Sequence, residues 1–316
     1  MAVAFVFPGQ GSQSVGMGKA LAETYGEARA VFDEVDEALA ERLSTIIWEG
    51  PIETLTLTAN AQPALMAVSM AVLRVLERDK GIDIAKTATF VAGHSLGEYS
   101  ALAAARALTL VDAARLLRAR GAAMQKAVPV GQGAMAALLG IDAEGARKAV
   151  AEAAGGDICQ VANDNDPGQV VISGSKAAVE RAGEIAKKYG AKRAMMLNVS
   201  APFHCALMAP AADVMRAELA KVTIARPVVP LVANVLAREI SDPDEICQRL
   251  IEQVTGTVRW RESVQHMAAA GVSELFEIGT GKVLTGMTKR IVATLNARSV
   301  STPEDIDGAA TALTAH

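Results

Sequence analysis

The chain has 316 residues, of which 51% are hydrophobic and 21% charged, a balance that supports a large buried core and argues against long disordered segments. Its net charge of -4 arises from mixed signs, so nucleic acid is not an expected partner. No run of about 18 consecutive apolar residues occurs and the first residues lack a basic segment, so we expect neither a membrane span nor a signal peptide.

The first predicted elements alternate between strands and helices. An apolar strand at 3–7 ends in the turn-rich loop 8–13, and a helical pattern follows at 18–25. A second apolar strand at 89–93 precedes an alanine-rich helix at 96–105. This alternation predicts a parallel sheet covered by helices, with functional groups at the carboxyl ends of its strands. The loops after both strands lie at such ends.

A different arrangement is predicted at 128–198, where strands and helices follow the order βαββαβ. A turn at 163–168 would join the two middle strands. The predicted strands are 134–140, 158–163, 169–173 and 193–198, and the helices are 143–154 and 175–189. This order is typical of a ferredoxin-like subdomain. Residues 1–127 and 199–316 would then form one discontinuous large domain.

The alternating pattern of the first part returns after this insertion. Strands are predicted at 228–233 and 273–277, and a helix at 244–254. Near the end of the chain, Pro303 follows a threonine and precedes two acidic residues, which predicts the start of a short terminal helix.

The sharpest chemical signal is the pattern glycine-x-serine-x-glycine centred on Ser95, between a predicted strand and a predicted helix. Glycines at 93 and 97 permit a tight turn that exposes the serine hydroxyl, and the N–H of Leu96 can face a developing oxyanion. The amino end of the following helix adds partial positive charge at the same place. A bare match of this kind is about as often a simple capped turn, but the strand before it and the helix after it favour a nucleophile.

A serine nucleophile needs a base, and the chain has four histidines. His94 adjoins the serine but projects differently at a sharp turn, so we expect it to line the site. His316 is the last residue, and His266 lies within a helical stretch as a packed or surface residue. His204, in a loop after a predicted strand and a proline, remains as the base. The residues alone indicate no acidic third member.

Several motifs, in this order along the chain, resemble malonyl-coenzyme A:acyl carrier protein transacylases of bacterial fatty-acid synthesis. They are Phe7-Pro8-Gly9-Gln10-Gly11-Ser12-Gln13, Gln62-Pro63-Ala64, Gly93-His94-Ser95-Leu96-Gly97-Glu98, Arg120-Gly121, Asn165-Asp166-Pro167-Gly168-Gln169-Val170-Val171, and the loop ending in His204. The resemblance covers residues 3 to 291. It implies an α/β-hydrolase-like large domain with a parallel sheet and an inserted ferredoxin-like subdomain, with the site between them.

The resemblance also implies catalytic roles. Ser95 would be the acyl-enzyme nucleophile and His204 its base and then its acid. The backbone N–H groups of Gln10 and Leu96 would form the oxyanion hole. A backbone carbonyl of Gln253 would take the place of the acidic third member, which agrees with the absence of a clear acid in the sequence.

Substrate-binding residues are implied in the same way. Arg120 would hold the free carboxylate of a malonyl group through two parallel hydrogen bonds, although its sequence surroundings alone favour a surface charge. Phe203 would crowd the α-carbon and disfavour methylmalonyl, a position where family members often have serine. Gln62 and His94 would line the site.

Two residue groups are not expected to hold metal. The acidic and amide side chains at 163–166 precede a Pro-Gly pair without a full calcium-loop pattern, so we expect a solvated turn. The three cysteines, Cys159, Cys205 and Cys247, lack C-x-x-C spacing and fit reduced thiols, the first two as small buried residues.

The function expected from these observations is transfer of a malonyl group from malonyl-coenzyme A to the phosphopantetheine thiol of an acyl carrier protein. The enzyme itself would need no metal or prosthetic group, and the resemblance implies a cytoplasmic monomer that docks the carrier protein transiently through charge. Three alternatives remain open: a serine thioesterase or hydrolase of acyl-coenzyme A, a malonyl transacylase of a polyketide pathway, and a non-catalytic module that docks carrier proteins.

Overall fold

Ten strands lie within residues 2–314, the part of the chain that the computed structural model describes. In chain order they are β1 (Ala2–Phe7), β2 (Ala88–Gly93), β3 (Gly133–Leu139), β4 (Cys159–Asp166), β5 (Gln169–Ser175), β6 (Arg193–Met196), β7 (Leu231–Ala233), β8 (Arg238–Ile240), β9 (Val272–Ile278) and β10 (Asn296–Val300). The predicted strands at 3–7, 89–93 and 273–277 correspond to β1, β2 and β9. The strand predicted at 228–233 begins three residues later than expected, at Leu231.

The same described part contains fifteen α-helices and two short 3-10 helices, Ala186–Tyr189 and Ala206–Met208. The α-helices are α1 (Lys19–Thr24), α2 (Gly26–Leu39), α3 (Leu43–Glu49), α4 (Ile52–Thr56), α5 (Thr58–Arg78), α6 (Ile84–Thr87), α7 (Gly97–Ala104), α8 (Leu110–Lys126), α9 (Ala143–Ala153), α10 (Lys176–Ile185), α11 (Ala209–Leu219), α12 (Pro243–Gln253), α13 (Trp260–Ala269), α14 (Val283–Ile291) and α15 (Pro303–Thr314). The predicted terminal helix is α15, and it begins at Pro303 as expected.

The larger sheet has six strands in the order β10-β9-β1-β2-β7-β8. Its strands pair in parallel except for the antiparallel pair β7 and β8. Central strand β1 is apolar on both faces because helices cover both sides of a parallel sheet. Phe7 pairs with Gly93, so the loops after β1 and β2 leave the sheet side by side. Ligands of open α/β sheets bind at such a carboxyl edge.

Helix α5 passes through the largest core of the molecule. By length and composition it could cross a membrane, with a mean hydropathy of 1.3, but 83% of that window is buried inside the protein. Its side chains pack against helices α2 and α8 and against the sheet. The apolar composition of α5 is therefore that of a core helix.

The smaller sheet is antiparallel, with the order β4-β5-β3-β6. Helices α9 and α10 pack on one face and enclose a separate core that includes Leu138, Val170 and Ile172. This order is that of a ferredoxin-like βαββαβ unit, so the predicted fold class is confirmed. The boundaries placed at 127/128 and 198/199 stay a prediction, and residues 1, 315 and 316 lie outside the described part.

The solvated turn predicted at 163–168 is wrong in extent and in exposure. Strand β4 continues to Asp166, and only Pro167 and Gly168 form the turn. Asp164 and Asp166 are 3% and 2% exposed. They are stabilised there by arginines outside the small sheet, because Arg261 contacts Asp164 and Arg290 contacts Asp166, each at 2.7 Å. These ion pairs join the small sheet to helices α13 and α14.

Candidate active site

Ser95 lies at a strained turn between β2 and α7. Its φ is 54°, in the left-handed region that non-glycine residues rarely occupy. The flanking glycines are required by close packing, since a Cβ on Gly93 would lie 1.9 Å from the backbone of Gly97, and one on Gly97 would lie 2.3 Å from the carbonyl oxygen of Phe7. The glycine-x-serine-x-glycine pattern thus brings strand, turn and helix into direct contact and projects the hydroxyl from the edge of the sheet.

His204 faces the serine hydroxyl. Its Nε2 lies 2.7 Å from Ser95 Oγ, and its Nδ1 lies 2.8 Å from the backbone carbonyl oxygen of Gln253. Because that carbonyl can only accept, Nδ1 carries the proton in the neutral ring and Nε2 is free to accept the serine proton. His204 also has a left-handed φ, of 57°, and is 3% exposed. The site thus holds a serine, a histidine and an orienting carbonyl in one line.

Burial, together with the nearby positive charge of Arg120, lowers the pKa of His204 to about 3. The ring is therefore neutral, and able to accept a proton, throughout the ordinary pH range.

The neutral state of His204 also makes the stability of the fold depend on pH. The unfolded chain takes up a proton on this histidine below a pH of about 6.5, whereas the native site does not, so the free energy of unfolding falls as the pH falls from about 6.5 toward 3.

Replacing this histidine should reduce the acid sensitivity of the fold. Asparagine tolerates a left-handed φ, so it suits this position. We expect His204→Asn to reduce the slope of the unfolding free energy against pH, between pH 6.5 and 4, by up to about 1.4 kcal/mol per pH unit. Urea unfolding at several pH values measures it. Buried His94, whose pKa is also lowered, keeps its own contribution in both proteins. Identical slopes for the variant and the native chain would contradict the neutral, buried state of His204.

Arg120 is buried beside the serine rather than on the surface, with 2% of its area exposed. Its Nη1 donates to Gln62 Oε1 at 2.7 Å, and its Nη2 donates to Gln253 Oε1 at 2.7 Å and contacts Ser95 Oγ at 3.2 Å. Its Nε has no hydrogen-bond partner among the described residues. Burial lowers the pKa of this guanidinium, so an added anionic partner would stabilise its charged form.

A chain of buried polar side chains continues from the arginine to the loop after β1. Gln62 Nε2 donates to Thr58 Oγ1 at 3.0 Å, and that hydroxyl donates to Gln10 Oε1 at 2.8 Å. The side chain of Gln10 is thereby fixed by the same network that holds the guanidinium of Arg120. Leu96 follows the serine directly, and it and Gln10 border the same cavity, while the oxyanion hole formed by their N–H groups stays a prediction.

A cavity of about 370 Å³ joins these groups between the large and small sheets. Eight of the nine predicted site residues line it: Gln10, Gln62, His94, Ser95, Leu96, Arg120, Phe203 and His204. Gln253 lies behind His204. The small sheet contributes Met135, Ala137 and Val171, and helix α14 contributes Leu284 and Met287. The small sheet also contributes the amides of Asn163, Asn165 and Gln169, so apolar and polar groups both line the cavity, as expected for a small-molecule site.

The other two described histidines lie where they do not contact the serine hydroxyl. His94 Nε2 lies 2.9 Å from Asn165 Oδ1, and its ring centroid is 5.8 Å from that of Trp260. His266 pairs with Glu239 and is partly exposed. His316 lies outside the described residues. His204 is therefore the histidine that the described structure brings to Ser95.

Asn234 holds the turn and was missed by sequence reasoning. It directly follows β7, is 1% exposed, accepts from the N–H of Ser95 through Oδ1 at 2.8 Å, and donates to the carbonyl oxygen of Gly93 through Nδ2 at 2.6 Å. The available signal was an asparagine at the carboxyl end of a predicted strand in a parallel sheet. Thr58 and Glu98 were also not assigned.

The described residues contain no group of three or more histidine, cysteine or acidic side chains that could hold a metal ion. Cys159 and Cys205 are buried and unpaired, as the sequence predicted, and Cys247 is also a free thiol. The chemistry available at the site is that of a serine, a neutral histidine, backbone N–H groups and a buried arginine, which together suit acyl transfer.

Comparisons with known proteins identify the family of the chain. A model described as the acyl transferase domain matches residues 4–304. The malonyl CoA-acyl carrier protein transacylase of Escherichia coli (strain K12) is 50% identical over 300 residues, covering 95% of this chain and 96% of its own. The crystal structure of an acyl-carrier-protein-S-malonyltransferase from Bartonella henselae is 57% identical, with a TM-score of 0.97 over 99% of this chain and 100% of its own.

A third relative was solved with a partner. It is a chain from the complex of a type II PKS acyl-carrier protein with its malonyl-transacylase, which is 44% identical to this chain, with a TM-score of 0.95 and full coverage of both chains.

Proposed function

We propose that this chain moves a malonyl group from malonyl-CoA to the phosphopantetheine thiol of an acyl carrier protein through a malonyl-Ser95 intermediate. The chain belongs to the acyl transferase family and, within it, to the malonyl CoA-acyl carrier protein transacylases. Fatty-acid biosynthesis is the pathway. The observation that carries the assignment is the contact of 3.2 Å between the buried guanidinium of Arg120 and Ser95 Oγ. This contact supports the proposal, because a guanidinium so near the nucleophile could bind the free carboxylate of an acyl group as short as malonyl.

In the first half-reaction, Ser95 Oγ attacks the thioester carbonyl carbon while His204 Nε2 accepts the serine proton. The negative charge that develops on the carbonyl oxygen is stabilised by the N–H groups of Gln10 and Leu96. The carbon–sulfur bond then breaks, and the protonated histidine gives its proton to the departing coenzyme A sulfur. The carbonyl of Gln253 accepts from Nδ1 throughout and stabilises the transient imidazolium.

In the second half-reaction, the phosphopantetheine thiol of the carrier protein takes the place of coenzyme A. His204 accepts the thiol proton, the sulfur attacks the malonyl-serine ester, and the protonated ring returns the proton to Ser95 Oγ as the ester bond breaks. The two half-reactions use the same groups in reverse order, so the chain is regenerated unchanged.

Arg120 selects the acyl group by charge. The malonyl carboxylate would receive two parallel hydrogen bonds from the guanidinium, whose Nε has no partner among the described residues. An acetyl group would leave the buried cation without an anion. Phe203, which borders the cavity beside His204, would crowd a methyl branch on the α-carbon and so disfavour methylmalonyl. His94 would shape the wall of the cavity.

The carrier protein would dock at the mouth of the cavity, between β6 and α14. The candidate cations for this docking are exposed, although Arg290 also pairs with Asp166; they are Lys192, Arg193, Lys282, Lys289 and Arg290. We propose transient, electrostatic docking of an acidic carrier protein there by a monomer. We also propose that the enzyme needs no prosthetic group, that it works in the cytoplasm, and that residues 128–198 form a subdomain inserted between 1–127 and 199–316.

Turnover should depend on the carrier protein. With holo-carrier present, we expect malonyl-CoA consumption to equal formation of malonyl-carrier, with parallel double-reciprocal lines for the two substrates, as a ping-pong mechanism requires. Raising the salt concentration should raise the KM for the carrier. Mass spectrometry of the carrier measures malonyl-carrier, and chromatography measures the remaining malonyl-CoA. A free-thiol assay separates transfer, which leaves the number of free thiols unchanged, from hydrolysis, which adds one thiol for each malonyl-CoA consumed. Equal consumption without carrier, with release of malonate, would instead identify a thioesterase. Exchanging fatty-acid for polyketide carriers tests which pathway is served.

A further inference from the structure

Glu98 is a buried carboxylate that the mechanism above does not use. It lies on α7, three residues after Ser95, and is 1% exposed. Its Oε2 accepts from Gln253 Nε2, and its Oε1 accepts a longer hydrogen bond, of 3.4 Å, from the backbone N–H of Asn234. A carboxylate removed from water and bound to amides is costly, so its presence beside the active site requires an explanation.

The two partners of Glu98 are the residues that hold Ser95 and His204. Asn234 accepts from the N–H of Ser95, and Gln253 donates to the carbonyl oxygen of Ser95 at 2.9 Å. The backbone carbonyl of Gln253 also accepts from His204 Nδ1. One carboxylate therefore anchors both supports of the serine and, through Gln253, the orientation of the histidine.

Glu98 is also linked to Arg120 through one amide. Gln253 Oε1 accepts from the guanidinium while Gln253 Nε2 donates to Glu98. The guanidinium thus holds the amide oxygen of Gln253 and the carboxylate holds its amide nitrogen, which sets the orientation of this side chain. Because an amide that is polarised from both ends donates and accepts more strongly, the charge of Glu98 contributes to holding this side chain in place.

We propose that Glu98 is a positioning residue, whose ionised carboxylate holds Gln253 and Asn234 and so keeps Ser95 and His204 aligned for malonyl transfer. Both of its oxygens face N–H donors. The carboxylate accepts from both, a glutamine would turn its NH2 toward one of these donors, and a protonated acid accepts more weakly and carries a proton that needs an acceptor of its own. The arrangement therefore depends on charge and not only on shape. This proposal rests on the proposed function, because it concerns the same serine and histidine.

The charge state of Glu98 can change near neutral pH. Burial raises its pKa to about 7, while the hydrogen bonds from Gln253 and Asn234 and the charge of Arg120 oppose that rise. The ionisable groups that face it are Arg120 on α8 and Tyr99 on its own helix. His204 stays neutral over the same range. A rise in activity between about pH 6 and 8 would then report Glu98 rather than the base.

The test is the pH dependence of serine acylation in single turnovers, for the full chain and for Glu98→Gln. We expect the native rate to rise with an apparent pKa near 7. Glu98→Gln should lower the maximal rate by about 10- to 100-fold, change the half-saturating malonyl-CoA concentration little, and remove the rise with pH. Glu98→Asp, which keeps the charge, should retain the rise. Glu277→Gln removes another buried carboxylate, one that accepts from the N–H groups of Leu284 and Thr285, and should retain the rise as well.

Two results would overturn the proposal. One is a Glu98→Gln variant that acylates at the native rate or keeps the rise near pH 7. The other is a native chain whose acylation rate does not change between pH 6 and 8, a measurement that needs no variant to fold. Failure of the proposed function is distinguishable, because the native chain would then form no malonyl-serine at any pH.

Discussion

Ser95→Ala should lower malonyl transfer by at least about 10⁴-fold, since it removes the atom that carries the acyl group between the two substrates. The binding groups remain, so malonyl-CoA should still occupy the cavity. The fold should be little affected, because alanine and serine meet the same backbone cost at the left-handed φ of 54°. A quenched assay of malonyl-carrier formation measures the loss.

A matched control lies five residues further along the chain. Ser100 is a buried serine on α7 whose hydroxyl has no hydrogen-bond partner among the described residues. Ser100→Ala makes the same chemical change without touching the cavity, and should keep native transfer and native thermal stability. If Ser95→Ala retained a tenth or more of the native rate, Ser95 would not be the nucleophile.

Arg120→Ala should strongly reduce the preference for malonyl over acetyl. Losing a buried charge pair with the substrate costs about 3 to 4 kcal/mol, so we expect kcat/KM for malonyl-CoA to fall by about 10²- to 10³-fold. The small rate with acetyl-CoA should stay or rise, because the acetyl group gains nothing from the cation. Steady-state assays with both donors measure the ratio.

Arg115→Ala is the control for this variant. Arg115 lies on the same helix, α8, but is exposed and donates only to the carbonyl oxygen of Ala38 at 3.0 Å. Its removal should leave the malonyl-to-acetyl ratio unchanged. An Arg120→Ala variant with the native ratio would show that the carboxylate is bound elsewhere.

The exposed serine turn was predictable because its signal is local. The close approach of Gly93 to Gly97 depends on residues within one strand, one turn and one helix, and a five-residue pattern records it, whereas the contact of Gly97 with Phe7 of β1 is not local. The alternation of strands and helices and the βαββαβ order were likewise recorded by short-range periodicity. Features set by neighbouring residues were therefore available from the sequence.

The surroundings of Arg120 were harder to predict, since they depend on which face of α8 is buried. Its sequence neighbours favour a surface charge, yet Leu116 and Met124, four residues before and after it, are buried. This spacing places Arg120 on the buried face of the helix, while Arg115 lies on another. The helical position, rather than the local composition, was the informative signal.

Asn234, Gln253 and Glu98 come together only in the folded chain. They are separated by more than 130 residues from at least one partner, so no local pattern predicts their hydrogen bonds. The exposure of strand β4 was misjudged for a similar reason. Arg261 and Arg290, which hold its two buried aspartates, follow about 100 residues later in the chain.

Intact-protein mass spectrometry detects the malonyl-serine intermediate directly. The native chain is mixed with malonyl-CoA, quenched within milliseconds in acid, and compared with Ser95→Ala and Ser100→Ala treated in the same way. We expect a malonyl mass increment on the native and Ser100→Ala chains, located by digestion at residue 95, and no increment on Ser95→Ala. An increment that persists in Ser95→Ala, or a native chain that never gains one, would contradict transfer through a malonyl-serine.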